Sequence, residues 1–214
     1  MGSLNVSVLA HLFGILAFIL LLVWLLHYRE GIQYDSNNGL RVFNVHPLMM
    51  YLCFIFLGGE AIMAFQTIPA ERKVRKFVHM TLHLIAFILG IVGLNAVFKF
   101  HDMADIPNVY SLHSWIGIGT FCLYGLQWVF GFVMFMLQAA SAGTRASMLP
   151  WHKGFGRALL FMAVCAALTG LMEKSTFLTN SGKLNPHDRQ SKLINFTGLA
   201  ILLFGVFVNM TANS

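Results

Sequence analysis

Charged residues are scarce in this chain. Asp, Glu, Lys and Arg make up 10% of its 214 residues, against 57% hydrophobic residues. A soluble domain carries about a quarter charged residues, so the composition excludes that class. It predicts one integral membrane domain over residues 1–214. The cations flank apolar runs and do not form a basic face along a folded surface, which argues against nucleic-acid binding.

Cysteine is also scarce, since only Cys53, Cys122 and Cys165 occur. All three fall inside apolar runs, and an odd number in such surroundings argues against a disulfide framework. The chain has no CxxC and no CxxCH motif. Covalent haem attachment and zinc-knuckle sites are therefore not expected.

Long apolar runs are abundant, by contrast. Each is continuous, without the alternation of a barrel strand, so each predicts a membrane-spanning helix. The expected fold is all-α, a bundle of six transmembrane helices with a central four-helix core. The six predicted spans are 6–28, 45–66, 77–98, 113–137, 153–172 and 193–210.

The distribution of charge predicts the orientation. The second and fourth connections, with the start of the fifth span, hold seven Lys or Arg and one acid. The segments on the other side of the membrane hold seven Lys or Arg and six acids. The count of cations is a tie, so the dense cluster at 72–76 decides: this side is expected to be cytoplasmic, together with both termini.

Histidines open four consecutive predicted spans. By the alternating direction of the spans, His46 and His113 lie near one membrane face, and His79 and His152 near the other. Two imidazoles that face each other across a bundle suit a haem with a histidine on each axial position, which favours electron transfer over oxygen activation. The two irons are then expected roughly 20 Å apart along the membrane normal. For any one of these histidines, a hydrogen bond at the membrane interface is the alternative.

His83 lies one turn deeper than His79 on the same predicted face. Since His152 follows Pro150, it is expected at the very start of its helix, close to the membrane surface. A histidine at that depth is expected to pair with His79 and not with the deeper His83. His83 is expected near the haem edge or bonded within the bundle. His11 has no evident partner. Glu60, inside span two, is expected to be protonated or hydrogen-bonded, with a weaker alternative as a proton relay.

Six segments spread over nearly the whole chain match a known family: "HYREG", "FNVHP", "KFVH", "NVYSLHSWIG", "RASMLPWH" and "LTGLMEK". Through them the chain resembles the cytochrome b-561 family of transmembrane ascorbate-dependent oxidoreductases. It implies six helices, two haem b groups held by the middle four, and a homodimer. The spacing of His46, His79, His113 and His152 looks like that of the family's four ligands, which supports His79 over His83.

Cations and hydrogen-bond donors are needed to bind ascorbate, which is an anion near neutral pH. On the cytoplasmic side Arg72, Lys76 and Arg145 are the candidates, and contact with lipid headgroups is their alternative role. On the opposite side the candidates are Phe100, His101, Asn108 and Tyr110. There His101 is expected to accept the proton that ascorbate loses, and the family places a second substrate site at His101. Lys76 and His101 are the expected catalytic residues.

The sequence thus predicts a transmembrane oxidoreductase that passes electrons from cytoplasmic ascorbate through two haems to monodehydroascorbate. The same wiring serves a ferric-chelate reductase, which is the first alternative. A haem-free, histidine-lined metal transporter is the alternative from another class, although it would need acids or thiolates near the membrane midplane. The resemblance favours an endomembrane, vacuolar or vesicular, with the plasma membrane as the other location.

Overall fold

The computed structural model describes residues 3–213, and these residues form six helices long and apolar enough to cross a membrane, which confirms the predicted all-α class. Helix α1 comprises Ser3–Val23 and a π-helical turn, Trp24–Tyr28. The other five are α2 (Gly39–Thr67), α3 (Arg72–Ala104), α4 (Leu112–Met136), α5 (Ala142–Asn180) and α6 (Arg189–Ala212).

Helices α3 and α5 are much longer than the apolar runs within them. They contain 33 and 39 residues, or about 50 and 58 Å at the α-helical rise of about 1.5 Å per residue. Both exceed a hydrocarbon core of about 30 Å, so their ends project beyond it. Pro150 lies inside α5 and does not mark its start. A proline removes one helical hydrogen bond, but the helix can continue past it. The expectation that His152 begins its helix is therefore wrong; it lies ten residues after Ala142.

A π-helical segment, Tyr51–Leu57, interrupts α2 four residues after Pro47. Proline has no N–H to donate within the helix, and such interruptions are commonly accommodated by wider turns. The segment turns Tyr51 inward, where its hydroxyl donates to the Gly14 carbonyl of α1 at 2.5 Å. The interruption therefore ties the middle of α2 to the first helix.

Helices α1 and α6 pack together beside the other four. Phe13 stacks on Phe207 with ring centres 5.5 Å apart, and Phe204 is completely buried. Gly59 of α2 makes room for that ring, because a Cβ there would lie 2.5 Å from Phe204. The remaining helices, α2–α5, form two pairs, α2 with α3 and α4 with α5.

Aromatic side chains join these two pairs in the middle of the bundle. Phe54 of α2 packs edge-on against Tyr124 of α4 at 4.7 Å, and Phe87 of α3 stacks on Phe121 of α4 at 5.0 Å. Outward-facing side chains such as Leu112 and Trp115 are 70% exposed. An apolar exterior of this kind suits contact with lipid, so burial in the core and exposure to lipid account for most of the hydrophobic residues.

Candidate functional site

His46 of α2 and His113 of α4 face each other near one end of the bundle. Their ring centres are 6.2 Å apart and their planes are nearly perpendicular, at 85°. The Nδ1 of His46 lies 3.0 Å from the Gly93 carbonyl oxygen, and that of His113 lies 2.8 Å from the Ala166 carbonyl oxygen. Since only an N–H donates to a carbonyl, each Nδ1 carries the proton, and each Nε2 keeps its lone pair.

His79 of α3 and His152 of α5 form a second pair with the same spacing. Their ring centres are also 6.2 Å apart, with an interplanar angle of 71°. The Nδ1 of His79 donates to the Ala61 carbonyl at 2.7 Å. His152 differs, because its Nδ1 lies 3.0 Å from the Gln127 side-chain amide, which also donates to the His152 carbonyl at 2.8 Å.

Both spacings fit two imidazoles on one iron. With metal–nitrogen bonds of about 2.0 Å and about 1.1 Å from each ring nitrogen to its ring centre, the ring centres of two axial histidines are about 6.2 Å apart. Ligating histidines usually donate the other ring N–H to a carbonyl or carboxylate, as three of these four do. Among residues 3–213 no three His, Cys, Asp or Glu side chains converge as a metal site. The residues present therefore fit two bis-histidine haems.

The hydrogen bonds of the two pairs are reciprocal between neighbouring helices. His46 of α2 bonds to α3 and His79 of α3 bonds to α2, while His113 of α4 bonds to α5 and His152 of α5 bonds to α4. Each of the four helices thus carries one histidine of one pair and one residue that bonds to a histidine of the other pair. These two residues are 14 or 15 positions apart on every helix. At about 1.5 Å per residue this separates the two pairs by about 21 Å, close to the predicted separation.

Two glycines that sequence reasoning missed lie against rings of the candidate ligands. A Cβ on Gly170 would be 2.7 Å from Cε1 of His113, and a Cβ on Gly131 would be 2.9 Å from Cε1 of His152. These positions admit no larger side chain without displacing a ring. Only tertiary contact distinguishes Gly170 and Gly131 from the other glycines of the chain.

His83 lies between the two pairs and bonds within the bundle. Its Nδ1 is 2.5 Å from the Tyr124 hydroxyl oxygen, and its ring centre is 4.5 Å from that of His79. Tyr124 also contacts Phe54 in the aromatic layer. His83 thus occupies the interior of the core, while His79 has the ring spacing to His152 that suits axial ligation.

The three cations expected to bind substrate lie together at the end of the bundle near His79 and His152, here called the basic face. Arg72 and Arg145 are the charged neighbours of Lys76. The Nζ of Lys76 donates to the Phe135 carbonyl at 2.6 Å, and the Phe135 ring centre is 5.1 Å from that of His152. Lys76 is therefore linked through one residue to a candidate ligand.

At the other end, here called the opposite face, His101 and Asn108 are in direct contact. Nδ1 of His101 lies 2.8 Å from Oδ1 of Asn108, so it donates to that oxygen, and Nε2 remains the acceptor. Phe100 packs against Phe43 at 5.0 Å between ring centres. Tyr110 is 53% exposed, and no aromatic contact joins it to the other described residues. The structure thus groups three of the four residues predicted for this face.

Glu60 has a partner that the sequence did not indicate. Its Oε1 lies 2.8 Å from Nδ1 of His11 on α1. His11 therefore does have a complementary partner, contrary to expectation, and that partner is a carboxylate and not a second imidazole. The contact meets the expectation that Glu60 is hydrogen-bonded.

Comparison with known proteins gives a consistent result over most of the chain. The family model described as eukaryotic cytochrome b561 matches residues 45–178. Transmembrane ascorbate ferrireductase 1 of Arabidopsis thaliana is 44% identical over 213 residues, covering 100% of this chain and 89% of the relative. A probable ascorbate-specific transmembrane electron transporter 1 of Oryza sativa subsp. japonica is 44% identical over 206 residues, covering 96% and 88%. A plasma membrane ascorbate-dependent reductase of Xenopus tropicalis is 40% identical over 200 residues, covering 92% and 70%.

Proposed function

Because the chain belongs to the eukaryotic cytochrome b561 family, we propose that it is a transmembrane oxidoreductase that carries electrons from ascorbate across a membrane. The names of its relatives support ascorbate as the electron donor. The basic face is the cytoplasmic one in this proposal. Monodehydroascorbate on the opposite face is the acceptor, in an endomembrane or the plasma membrane. The functional unit is a homodimer.

One observation carries the proposal: two histidine pairs with ring centres 6.2 Å apart lie at opposite ends of the same four helices. Each pair has the spacing of two axial ligands. Their separation of about 21 Å along the helices supports a position of one pair near each membrane face. A protein with this arrangement connects the two faces through its interior.

His46 and His113 hold one haem b, and His79 and His152 hold the other. When bound, each haem supplies an iron that takes up and gives up one electron. His46, His79 and His113 act through Nε2, because their Nδ1–H groups donate to backbone carbonyls and so fix the tautomer and the orientation of the rings. The Gln127 amide orients the ring of His152. Each pair would hold its haem through two imidazoles, an arrangement that would leave no ligand position open for oxygen and would favour electron transfer.

Lys76, Arg72 and Arg145 bind the ascorbate anion at the basic face. Clustered cations lower the energy of an anion brought to the surface, and Arg adds paired hydrogen bonds to its oxygens. The Lys76 ammonium already bonds to the Phe135 carbonyl beside His152. Substrate bound to Lys76 is therefore close to the cytoplasmic histidine pair.

His101 exchanges a proton at the opposite face. Reduction of monodehydroascorbate to the ascorbate anion consumes one electron and one proton, and the reverse step releases both. Asn108 holds the Nδ1 proton of His101, so Nε2 is the atom that gains and loses a proton. Phe100 lies beside this ring, at 5.9 Å between ring centres.

Reduction of ferric chelates is the second candidate, and one observation favours it: a relative that matches the full length of this chain is named an ascorbate ferrireductase. The two functions share the donor side and differ only in the acceptor. A histidine-lined metal transporter without haem is the remaining alternative, and it predicts a colourless active protein.

Sided vesicles test the proposal. Purified protein should show haem b absorbance, and vesicles loaded with ascorbate should reduce external monodehydroascorbate or ferric citrate only when the protein is present. The faster acceptor at equal driving force identifies the physiological class. Haem-free protein that moves metal ions, or haem that ascorbate does not reduce, contradicts the proposal.

A further inference from the structure

Arg29, just beyond α1, is a buried cation with no acidic partner in the described part of the chain. Only 7% of its surface is exposed, and its Nε has no hydrogen-bond partner among residues 3–213. Burial lowers the pKa of its guanidinium, and the charge of Glu30 acts in the opposite direction. The Glu30 carboxylate accepts from Asn38 at 2.6 Å and makes no bond to Arg29.

Asn44 holds Arg29 close to the histidine pair of the opposite face. This completely buried side chain donates to the carbonyls of Arg29 and Gly31 at 2.6 and 2.7 Å. Asn44 is two residues before His46 on α2. The backbone at Glu30 and Gly31 is left-handed, with φ of 68° and 93°, so the chain turns sharply around this clamp.

Lys174 of α5 is a second cation without a salt bridge in the described part of the chain. Its Nζ lies 3.9 Å from the ring centre of Phe43 and 5.7 Å from that of Phe100. Arg29, Lys183 and Glu173 are its charged neighbours. The Glu173 carboxylate accepts instead from the Ser111 hydroxyl at 3.0 Å.

Another lysine at the same face, Lys99, has the hydrogen-bond acceptor and the acidic neighbour that Lys174 lacks among the described residues. Lys99 also lies over an aromatic ring, 4.7 Å from the centre of Tyr34. Its Nζ donates to the Tyr34 carbonyl at 3.1 Å and is 3.6 Å from an Asp35 oxygen. Lys99 thus has both an acceptor and a counter-charge, whereas Lys174 lies against ring faces and has no hydrogen bond or salt bridge among the residues that the structure describes.

Arg29 and Lys174 together have the charge and the hydrogen-bond donors that an anion-binding site needs. Two neighbouring cations, one buried and one half-buried, repel each other, which is costly unless an anion lies between them. The planar guanidinium of Arg suits paired oxygens. The site adjoins Phe43, one turn from His46 and 6.3 Å from it between ring centres.

We propose that Arg29 and Lys174 bind an organic oxyanion, a carboxylate or its equivalent, at the mouth of the His46–His113 site. The inference rests on the proposed function, because two sources of that anion lie within it. One is a carboxylate carried by the porphyrin edge, and the other is the anionic electron acceptor. Both need the same oxygen chemistry, and experiments separate them.

The test compares four holoprotein variants. Lys174→Met removes the charge but keeps a long apolar side chain, Lys174→Arg restores the charge, and Lys99→Met is the matched control. Three quantities are measured: KM for anionic ferricyanide and for cationic hexaammineruthenium(III), the rate of haem transfer to excess apomyoglobin, and the midpoint potential of each haem. Arg29→Lys, which keeps the positive charge but loses the paired N–H donors of the guanidinium, is the second probe of the site.

If the acceptor is the anion, Lys174→Met raises KM for ferricyanide about tenfold, the effect of losing a hydrogen bond to a charged group, and leaves KM for the ruthenium complex unchanged. If the porphyrin carboxylate is the anion, the same variant loses one of its two haems about tenfold faster. In both cases Lys174→Arg reverses the change, Arg29→Lys reproduces part of it, and Lys99→Met has no effect.

A lower haem potential in Lys174→Met, with KM values and haem loss unchanged, overturns the inference, because Lys174 then acts only as a nearby charge. Changes of equal size in Lys99→Met overturn it as well. Wild-type protein without ascorbate-reducible haem refutes the proposed function itself. Wild-type protein with two reducible haems and unaffected variants refutes the anion site alone.

Discussion

Gly170→Ala should release one haem and spare the other. The new Cβ would lie 2.7 Å from Cε1 and 2.9 Å from Nδ1 of His113. Carbon atoms in contact are normally about 3.5 Å or more apart, so the imidazole has to retreat by about 0.8 Å. The Nδ1 of the same ring is fixed to the Ala166 carbonyl at 2.8 Å, which resists that movement.

The size of this displacement decides the outcome. Metal–ligand bonds tolerate changes of about 0.2 Å, well below the required shift. Crowding of a packed site costs about 1–3 kcal/mol, which corresponds to a factor between about 5 and about 150 in affinity. Gly131→Ala is the reciprocal case for His152, and its nearest contact of 2.9 Å predicts a weaker loss.

Absorbance at controlled potentials measures the effect, because two haems in different surroundings titrate separately. Gly170→Ala should lose the centre that His113→Ala loses, and Gly131→Ala the centre that His152→Ala loses. Gly198→Ala is the control, since its Cβ meets only Leu168 and Leu171 at ordinary distances of 3.4 and 3.6 Å. Gly170→Ala protein with two unaltered haems would refute the assignment of His113.

Four further substitutions test the remaining assignments. Lys76→Ala should raise KM for ascorbate about tenfold with both haems retained, and unchanged kinetics would exclude a substrate role. His101→Ala should slow only the half-reaction at the opposite face in sided vesicles, whereas a defect confined to the basic face would reverse the orientation. Gln127→Glu should lower the potential of the basic-face haem, because a carboxylate makes His152 a more basic ligand; an unchanged redox titration would contradict that contact. His83→Ala should keep two haems in the pyridine haemochrome assay, and loss of one would make His83 a ligand.

Hydrophobicity was sufficient to predict the six helices but not their ends. Runs of apolar residues report where a helix meets lipid, so the spans were found correctly. Backbone hydrogen bonds continue a helix into water without any apolar signal, and α5 therefore begins at Ala142 and not near residue 153. The depth of His152 within its helix was wrong for this reason.

The pairing of histidines was also within reach of the sequence. Alternating span direction assigns His46 and His113 to one face, and His79 and His152 to the other, and the ring distances match these pairs. The groups that orient the rings were not predictable, since three are backbone carbonyls that every residue possesses. Only the fold reveals which carbonyl each Nδ1 reaches.

Contacts between distant segments account for the other omissions. His11 and Glu60 are 49 positions apart in the chain, and no short-range spacing rule connects them. Lys174 and Arg29 lie on α5 and beyond α1, and both read as ordinary charges at span ends. Their lack of acidic partners appears only when every neighbour is known, so residue type alone did not indicate an anion site.

The central claim is that each of two histidine pairs holds its own haem. Redox titration of the four single His→Ala variants tests it most directly, at His46, His79, His113 and His152. The account predicts two haems per chain in the wild-type protein, loss of one and the same centre in the His79 and His152 variants, and loss of the other in the His46 and His113 variants. Loss of the same centre in the His46 and His79 variants, or a single haem in the wild-type protein, would contradict it.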